Sequence, residues 1–295
     1  LPTRLQQSQR QLSNGLRQGI EGGTVVNQLM VEMPEQCFHQ IRQWLYQQSG
    51  IHLSVNKKPM VSARLQKRLR HLKLNSFEEY LRLLGQQDQI EERRQALNSL
   101  TTNETYFFRE EAHFEFLRQQ LPALKRQPSL LIWSAAASTG EEAYSLAMLL
   151  AEELGLQHNW RLIGTDINNQ VLDHARQGVY DIRQAERIAP PLLQQYCLKG
   201  IGKDQGKFIV HPELRRKIDF RQANLMDLPV MAEKFDLIFL RNVLIYFKLE
   251  DQKHIVNSVI RQLKPAGLLI VGHTESINGY NPELKMIKPS CYRWK

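Results

Sequence analysis

The sequence predicts an α/β protein, a doubly wound and mostly parallel sheet carrying a small β insertion and preceded by a small all-helical domain. Three observations predict it. Beyond Pro128 short apolar runs alternate with helical patterns, whereas residues 34–100 show only helical spacing. A glycine-rich stretch, Gly200 to Gly206, then breaks the alternation just ahead of Lys207-Phe208-Ile209-Val210. The third is length: 295 residues exceed a typical single core, so one large and one smaller domain are expected.

Residues 1–33 are rich in Gln, Ser and Gly and read as a flexible tail or linker, with a frayed helix as the other possibility. From Pro34, Phe38, Ile41 and Leu45 mark a first amphipathic helix that stops at Ser49-Gly50. Pro59 opens a second, with Val61, Leu65, Leu69 and Leu72 on one face and basic residues on the other. Ser76 with Glu79 forms a capping box for a third, and Ile90 to Leu100 reads as a fourth. Residues 101–128 are taken as a connecting segment and 129–295 as the sheet domain. In that domain Leu130 to Trp133 and Arg161 to Gly164 read as strands, each followed by a helix (Tyr144 to Leu154, Asn168 to Arg176). Phe235 to Leu240 and Leu268 to Gly272 read as later strands, with the β insertion near 198–212.

Composition sets outer bounds. A hydrophobic share of 42% and a charged share of 23% suit a packed core rather than disorder. No apolar run approaches the roughly 20 residues of a membrane helix, and the first thirty residues lack a signal peptide's apolar centre, so no integral membrane segment is expected. Cys37, Cys197 and Cys291 are widely spaced and form no C-x-x-C pair, which argues against a disulfide framework and a zinc site and for a reducing cytoplasm. No metal is expected. The formal net charge of +9 implies an acidic partner without choosing among nucleic acid, anionic lipid and protein.

Four constellations carry candidate chemistry. Ser134 to Glu142 lies between a buried strand and a helix, where ligands bind in open α/β sheets. Its single Gly makes a poor diphosphate cradle, and Glu141 and Glu142 at a helix start would repel phosphate, so a cationic or zwitterionic nucleoside is preferred; a merely tight turn is the alternative. Asp166 ends the second strand at the place where an acidic residue accepts ribose hydroxyls, or else caps the following helix. Asn103 to Arg109 joins the two domains; its aromatic residues suit an interface core, while Arg109 offers a planar fork for a ligand carboxylate or forms an ordinary ion pair. Finally, the strand Phe235 to Leu240 ends in Arg241, Asn242 and Tyr246, which point toward the crevice where an acceptor belongs. For Tyr246 packing competes with catalysis, and for His273 a structural role competes with that of a base.

Taken together, Thr101 to Glu110, Trp133 to Leu146, Gly164 to Ile167 and Leu240 to Phe247 resemble the CheR family of chemotaxis-receptor methyltransferases over roughly residues 34–290. The resemblance implies a helical domain followed by a Rossmann-like S-adenosylmethionine-binding domain with a β insertion. It implies cofactor contacts at Asn103, Thr105, Arg109 and Glu141, ribose contact at Asp166, adenine contact near Asn224 and Leu225, and Arg241 with Asn242 near the acceptor. Ala143 and Leu240 depart from the family's usual Pro and Cys. It further implies methylation of glutamates on the cytoplasmic helical region of methyl-accepting chemoreceptors, at membrane-bound receptor arrays, with S-adenosylhomocysteine as product. A receptor's C-terminal peptide would dock at the β insertion, although Lys203, Asp204 and Gln205 differ from the family's residues there.

The run Lys57 to Lys73 holds seven Lys and Arg residues and no acidic one, and reads either as a docking face for an acidic receptor helix or as a solvated face. Two rival readings stand beside the family resemblance: a nucleic-acid methyltransferase, disfavoured by the lack of an Asn-Pro-Pro-Tyr or Asp-Pro-Pro-Tyr segment, and a non-enzymatic nucleoside-sensing scaffold.

Overall fold

The computed structural model describes residues 31–229 and 231–295. The expected tail falls mostly within residues 1–30 and so lies outside the described residues. Residues Met33–Lys295 pack as one unit.

Four helices come first: α1 (Glu35–Ser49), α2 (Lys58–Leu72), α3 (Phe77–Gly85) and α4 (Ile90–Leu100). Each buries the stripe its sequence sets out, with Phe38, Ile41 and Leu45 buried from α1 and Val61, Leu65 and Leu69 from α2. Ser76 Oγ caps α3 by accepting from the Glu79 amide at 3.2 Å.

The basic run divides on α2. Arg64 Nη1 donates to the Leu100 and Thr101 carbonyls, each at 2.9 Å. Arg68 pairs with the buried Glu92, which also accepts from Tyr80 at 2.7 Å. Both arginines therefore brace α4, leaving Lys57, Lys67, Arg70 and Lys73 exposed. A docking face made of the whole run, Arg68 included, is thereby corrected: residues one turn apart on a helix share a face, and the face with Arg64 and Arg68 looks inward.

The stretch 101–128 is more than a connection. Helix α5 (Glu111–Leu124) occupies it and buries Phe114, Leu117 and Leu121 against α6 (Glu141–Leu154). That i, i+3, i+7 spacing is a readable helical signal.

The main sheet has seven strands: β1 (Leu130–Ala135), β2 (Trp160–Asp166), β6 (Ile218–Gln222), β7 (Phe235–Leu240), β8 (Leu263–Val271), β9 (Leu284–Lys288) and β10 (Cys291–Trp294). Their order is β6-β2-β1-β7-β8-β10-β9; the first five are parallel, and β10 and β9 are antiparallel additions. Residues alternate between the two faces of a strand, and the core follows suit. Ile132, Leu162, Leu237 and Leu268 join the cluster under α5 and α6. Their neighbours Trp133, Ile163, Ile238 and Leu269 join the cluster under α10 (Leu249–Ile260) on the opposite face. Burial on both faces explains why these strands read as continuous apolar runs.

Between β2 and β6 the chain forms α7 (Asn169–Gln177), α8 (Pro190–Tyr196), the turn helix α9 (Pro212–Arg215) and a second sheet of β3 (Val179–Asp181), β4 (Cys197–Lys199) and β5 (Lys207–Val210), in the order β3-β5-β4. The insertion thus reaches back to Val179, in a strand of 3 residues that is too short to show alternation. Phe107, fully buried, locks this sheet to the linker by stacking edge-on against Tyr180 at 4.9 Å.

Candidate active site

The strand order along the sheet reverses between the parallel strands β1 and β7, and a cleft of about 490 Å³ opens at their carboxyl ends. Its volume is that of a small-molecule site. One wall is the turn after β1, which carries Ala136 at φ 63 and Ser138 at φ 51, conformations unusual for residues with a Cβ. Gly140, at φ 96, closes the turn; a Cβ there would lie 2.8 Å from the Cβ of Ala175. Only glycine lets α6 start so close to α7.

Asp166 ends β2 and is 8% exposed. Its Oδ2 accepts from the Ser138 amide at 3.0 Å and its Oδ1 from the Asn168 amide at 2.9 Å. The cap of α7 is Asn168 rather than Asp166, since Asn168 Oδ1 accepts from Gln170 and Val171. Asp166 therefore faces the cleft with acceptor capacity beyond what the amides of Asn168 and Ser138, and the weaker pull of the Ile167 amide, take up. Burial pushes its carboxyl up, against the pull of these amides.

Asn103, Thr105 and Arg109 reach the cleft from the linker. Within the described residues no hydrogen bond engages the side chain of Asn103 or Thr105, and no carboxylate pairs with Arg109, whose Nη1 donates only to the Glu104 carbonyl at 2.8 Å. Asn224 and Leu225 line the far end. The Asn224 side chain is spent on the Gln48 carbonyl and the Met226 amide, so its main chain and Leu225 remain to face a base. The helical domain closes this end, with Ile51, His52, Lys57 and Met60 on the wall and the His52 amide donating to the Tyr246 carbonyl at 2.8 Å.

Glu141 is the one expected contact absent from the cleft wall. Its carboxylate turns aside to accept from Thr139 Oγ1 at 2.6 Å, and Glu142 takes the place on the wall. Successive helix residues diverge by about 100°, so only one of the pair can look into the crevice. Glu142 accepts from Ser134 Oγ at 2.7 Å and pairs with Arg241 at 2.9 Å.

These contacts leave the cleft with a fork for a carboxylate at Arg109, two acceptor oxygens for vicinal hydroxyls at Asp166, and apolar walls for a flat base at Ile51 and Leu225. Comparison with known proteins places the chain in a family. The family model described as CheR methyltransferase, SAM binding domain, matches residues 103–292, and that described as CheR methyltransferase, all-alpha domain, matches residues 36–101. The chain belongs to the CheR methyltransferase family. The chemotaxis protein methyltransferase of Escherichia coli (strain K12) is 41% identical over 258 residues, covering 85% of this chain and 90% of that protein. Chemotaxis protein methyltransferase 2 of Pseudomonas aeruginosa is 43% identical over 245 residues, covering 81% of this chain and 86% of that protein. This CheR family member is accordingly an S-adenosylmethionine-dependent methyltransferase, and its α/β domain is the Rossmann-like cofactor domain of that class.

In this CheR chain the strand-end residues form a bonded group. The Arg241 guanidinium, 1% exposed, pairs with Glu142 and with Glu110 at 3.1 Å and donates to the Arg109 carbonyl. Asn242, at φ 54, donates from Nδ2 to Glu110 Oε1 at 3.0 Å. Glu275 accepts from the amides of Asn242, Leu244 and Gly272 at 2.7 to 2.8 Å. Tyr246 lines the mouth with a hydroxyl that has no hydrogen-bond partner among the described residues; burial pushes this phenol up, so it stays protonated at neutral pH. The ligand atoms of Glu110, His113 and His273 lie within 4.8 Å of one another, but Arg241 already fills the cation's place against Glu110. Burial, with the charges of Arg241 and His273, brings His113 down to about 3 and keeps it neutral. Glu110 and Glu275 escaped sequence reasoning, and Glu142 was read only as repelling phosphate at the helix start. For Glu275 a signal existed, since it follows a parallel strand's carboxyl end, where polar residues meet the crevice.

Proposed function

We propose that this enzyme methylates glutamate side chains on the cytoplasmic helical region of methyl-accepting chemoreceptors, working at membrane-bound receptor arrays. The observation that carries the reading is the Tyr246 hydroxyl at the cleft mouth. It is a protonated donor with no hydrogen-bond partner among the described residues, so it is free to meet an anionic acceptor oxygen. The names of the relatives, chemotaxis protein methyltransferases, agree with an acceptor in that signalling system.

Arg109, Asn103 and Thr105 would hold the methionine end of S-adenosylmethionine, Asp166 the ribose, and Asn224 and Leu225 the adenine. When bound, the cofactor supplies an electrophilic methyl group on a sulfonium sulfur. A glutamate side chain, with an unperturbed pKa of about 4.3, is already ionised at neutral pH. Its oxygen forms the new O–C bond while the C–S electron pair stays with sulfur, so no proton moves and no general base is needed. The chain's contribution is then positioning and exclusion of water. Asn242 and Tyr246 present donors at the acceptor end, and Arg241 sets Asn242 in place through Glu110. The exposed Lys67, Arg70 and Lys73 of α2 offer a face for an acidic receptor helix.

The test uses the full chain with methyl-labelled S-adenosylmethionine and receptor-containing membranes, followed by alkali. Label on the receptor band released as methanol supports the reading, because esters hydrolyse in base. Label that resists base, or that enters added RNA or DNA instead, overturns it.

A further inference from the structure

One glutamate that neither family likeness nor strand position singled out holds together three segments far apart in the chain. Glu110 ends the linker at φ 57, a left-handed conformation that a residue with a Cβ adopts at a cost. Its Oε1 accepts from Asn242 Nδ2, and its Oε2 accepts from Arg241 Nη2 and from the His273 amide, each at 3.0 to 3.1 Å. The linker is thereby tied to the loops after β7 and β8.

We propose that Glu110 is a positioning residue for methyl transfer, fixing Asn242 and Arg241 at the acceptor end relative to the adjoining Arg109. It rests on the methyl-transfer reading of this cleft. Three features carry it. Asn242 is itself left-handed, and both its donors are held, the side-chain amide by Glu110 and the backbone amide by Glu275. Packing there leaves no slack: a Cβ on Gly272 would fall 2.7 Å from Asn242 Nδ2 and 2.7 Å from Glu275 Oε2. Lastly, Arg241 Nη2 bonds both the Glu110 carboxylate and the Arg109 carbonyl, so one guanidinium ties the end of β7 to the linker residue that precedes Glu110 as well as to Glu110 itself. Burial would raise the Glu110 carboxyl, but the Asn242 hydrogen bond and the Arg241 charge outweigh it and hold it below the ordinary range. The group remains anionic wherever the enzyme works.

The test compares wild type with Glu110→Gln and Glu110→Asp, and with Glu111→Gln, an exposed neighbour, as control. In Glu110→Gln one oxygen becomes an NH2 group and cannot serve both Asn242 and Arg241. We expect kcat to fall about 10- to 100-fold, as for a misplacement near 1 Å, with the KM for S-adenosylmethionine and the Kd for S-adenosylhomocysteine within about twofold of wild type. Glu110→Asp keeps the charge but not the reach, and should restore the melting temperature without restoring kcat. Independently of any receptor, NMR with S-adenosylhomocysteine bound should show the Asn242 side-chain amide shifted and exchanging faster in both variants. An unchanged kcat or an unchanged Asn242 resonance overturns the proposal, as does a loss of kcat that only tracks cofactor affinity or melting temperature. Failure of wild type to methylate receptor would instead strike the substrate reading, leaving the NMR comparison to decide on Glu110. If Glu110→Gln does not fold, Glu110→Asp gives the same readouts.

Discussion

Replacing Asp166 by Asn removes a cleft-lining carboxylate whose two oxygens both brace the wall. Backbone amides take part of its acceptor capacity, and under the proposed reading the remainder accepts the two ribose hydroxyls. Hydrogen bonds to a charged group contribute about 1.5–3 kcal/mol each and neutral ones about 0.5–1.5. Losing one bond and neutralising the other should therefore weaken S-adenosylhomocysteine binding by about 2–4 kcal/mol, or roughly 30- to 700-fold. The Asn NH2 group must also face the amide of Ser138 or Asn168, leaving a buried donor unpaired, so stability should fall by about 1–3 kcal/mol. Calorimetry at a temperature where both proteins are folded measures the first quantity, and urea unfolding the second. Ser76→Ala is the control: it removes the cap of α3, away from the cleft lining, should cost about 1 kcal/mol of stability, and should leave binding intact. Binding by Asp166→Asn within threefold of wild type would refute the argument and reduce Asp166 to a brace for the turn.

The same residue fixes a pH dependence whose sign differs between fold and ligand. Burial raises the folded-state pKa of Asp166 above its unfolded value. Its contribution to stability is thus fully present below the unfolded pKa and is lost as pH rises through the raised folded one. Cofactor affinity moves the other way, falling as pH drops through that raised value and the carboxylate protonates. Titrating S-adenosylhomocysteine binding toward acid should show this limb in wild type and not in Asp166→Asn.

Three further substitutions probe the remaining parts of the structure. Arg241→Met leaves the buried Glu142 without its cation and should lower unfolding free energy by about 3–5 kcal/mol, read from urea midpoints. Gly140→Ala forces a Cβ to 2.8 Å from Ala175 at φ 96 and should lower the melting temperature, by more than about 1 kcal/mol of stability, and weaken cofactor binding with it. Lys67→Glu with Arg70→Glu, on the exposed side of α2, should slow receptor methylation about three- to tenfold at low salt, taking about 0.2–1 kcal/mol per surface contact. The deficit should shrink at high salt while the Kd for S-adenosylhomocysteine stays fixed.

The parts of this protein that the sequence made legible are those set by local periodicity. Apolar runs buried on both faces marked β1, β2 and β7, and the rule that crevices open at strand ends put Asp166, Arg241 and Asn242 in the cleft. Where a choice depended on which way a helix is turned against the sheet, local pattern could not make it. Glu141 and Glu142 are equivalent in sequence, yet only Glu142 meets Arg241; Arg68 looks like any other cation of α2, yet pairs with Glu92 across 24 residues. The largest gap was the group of Glu110, Arg241, Asn242 and Glu275, whose bonds link positions up to 163 residues apart. In sequence His273 reads as a base or a structural histidine and Tyr246 as a catalytic or a packing residue; under the proposed reaction the acceptor arrives ionised and needs no base. His273 contributes an amide to Glu110 and an exposed ring against His113, and Tyr246 a protonated phenol. At the acceptor end the charges of Glu110, Glu142 and Arg241 are paired with one another, and the buried Glu275 is held by backbone amides. A site arranged in this way stores orientation rather than proton affinity. Substitutions that shift Asn242 should therefore lower kcat uniformly across neutral pH instead of moving a pH optimum, and a bell-shaped profile for kcat in that range would count against the whole scheme.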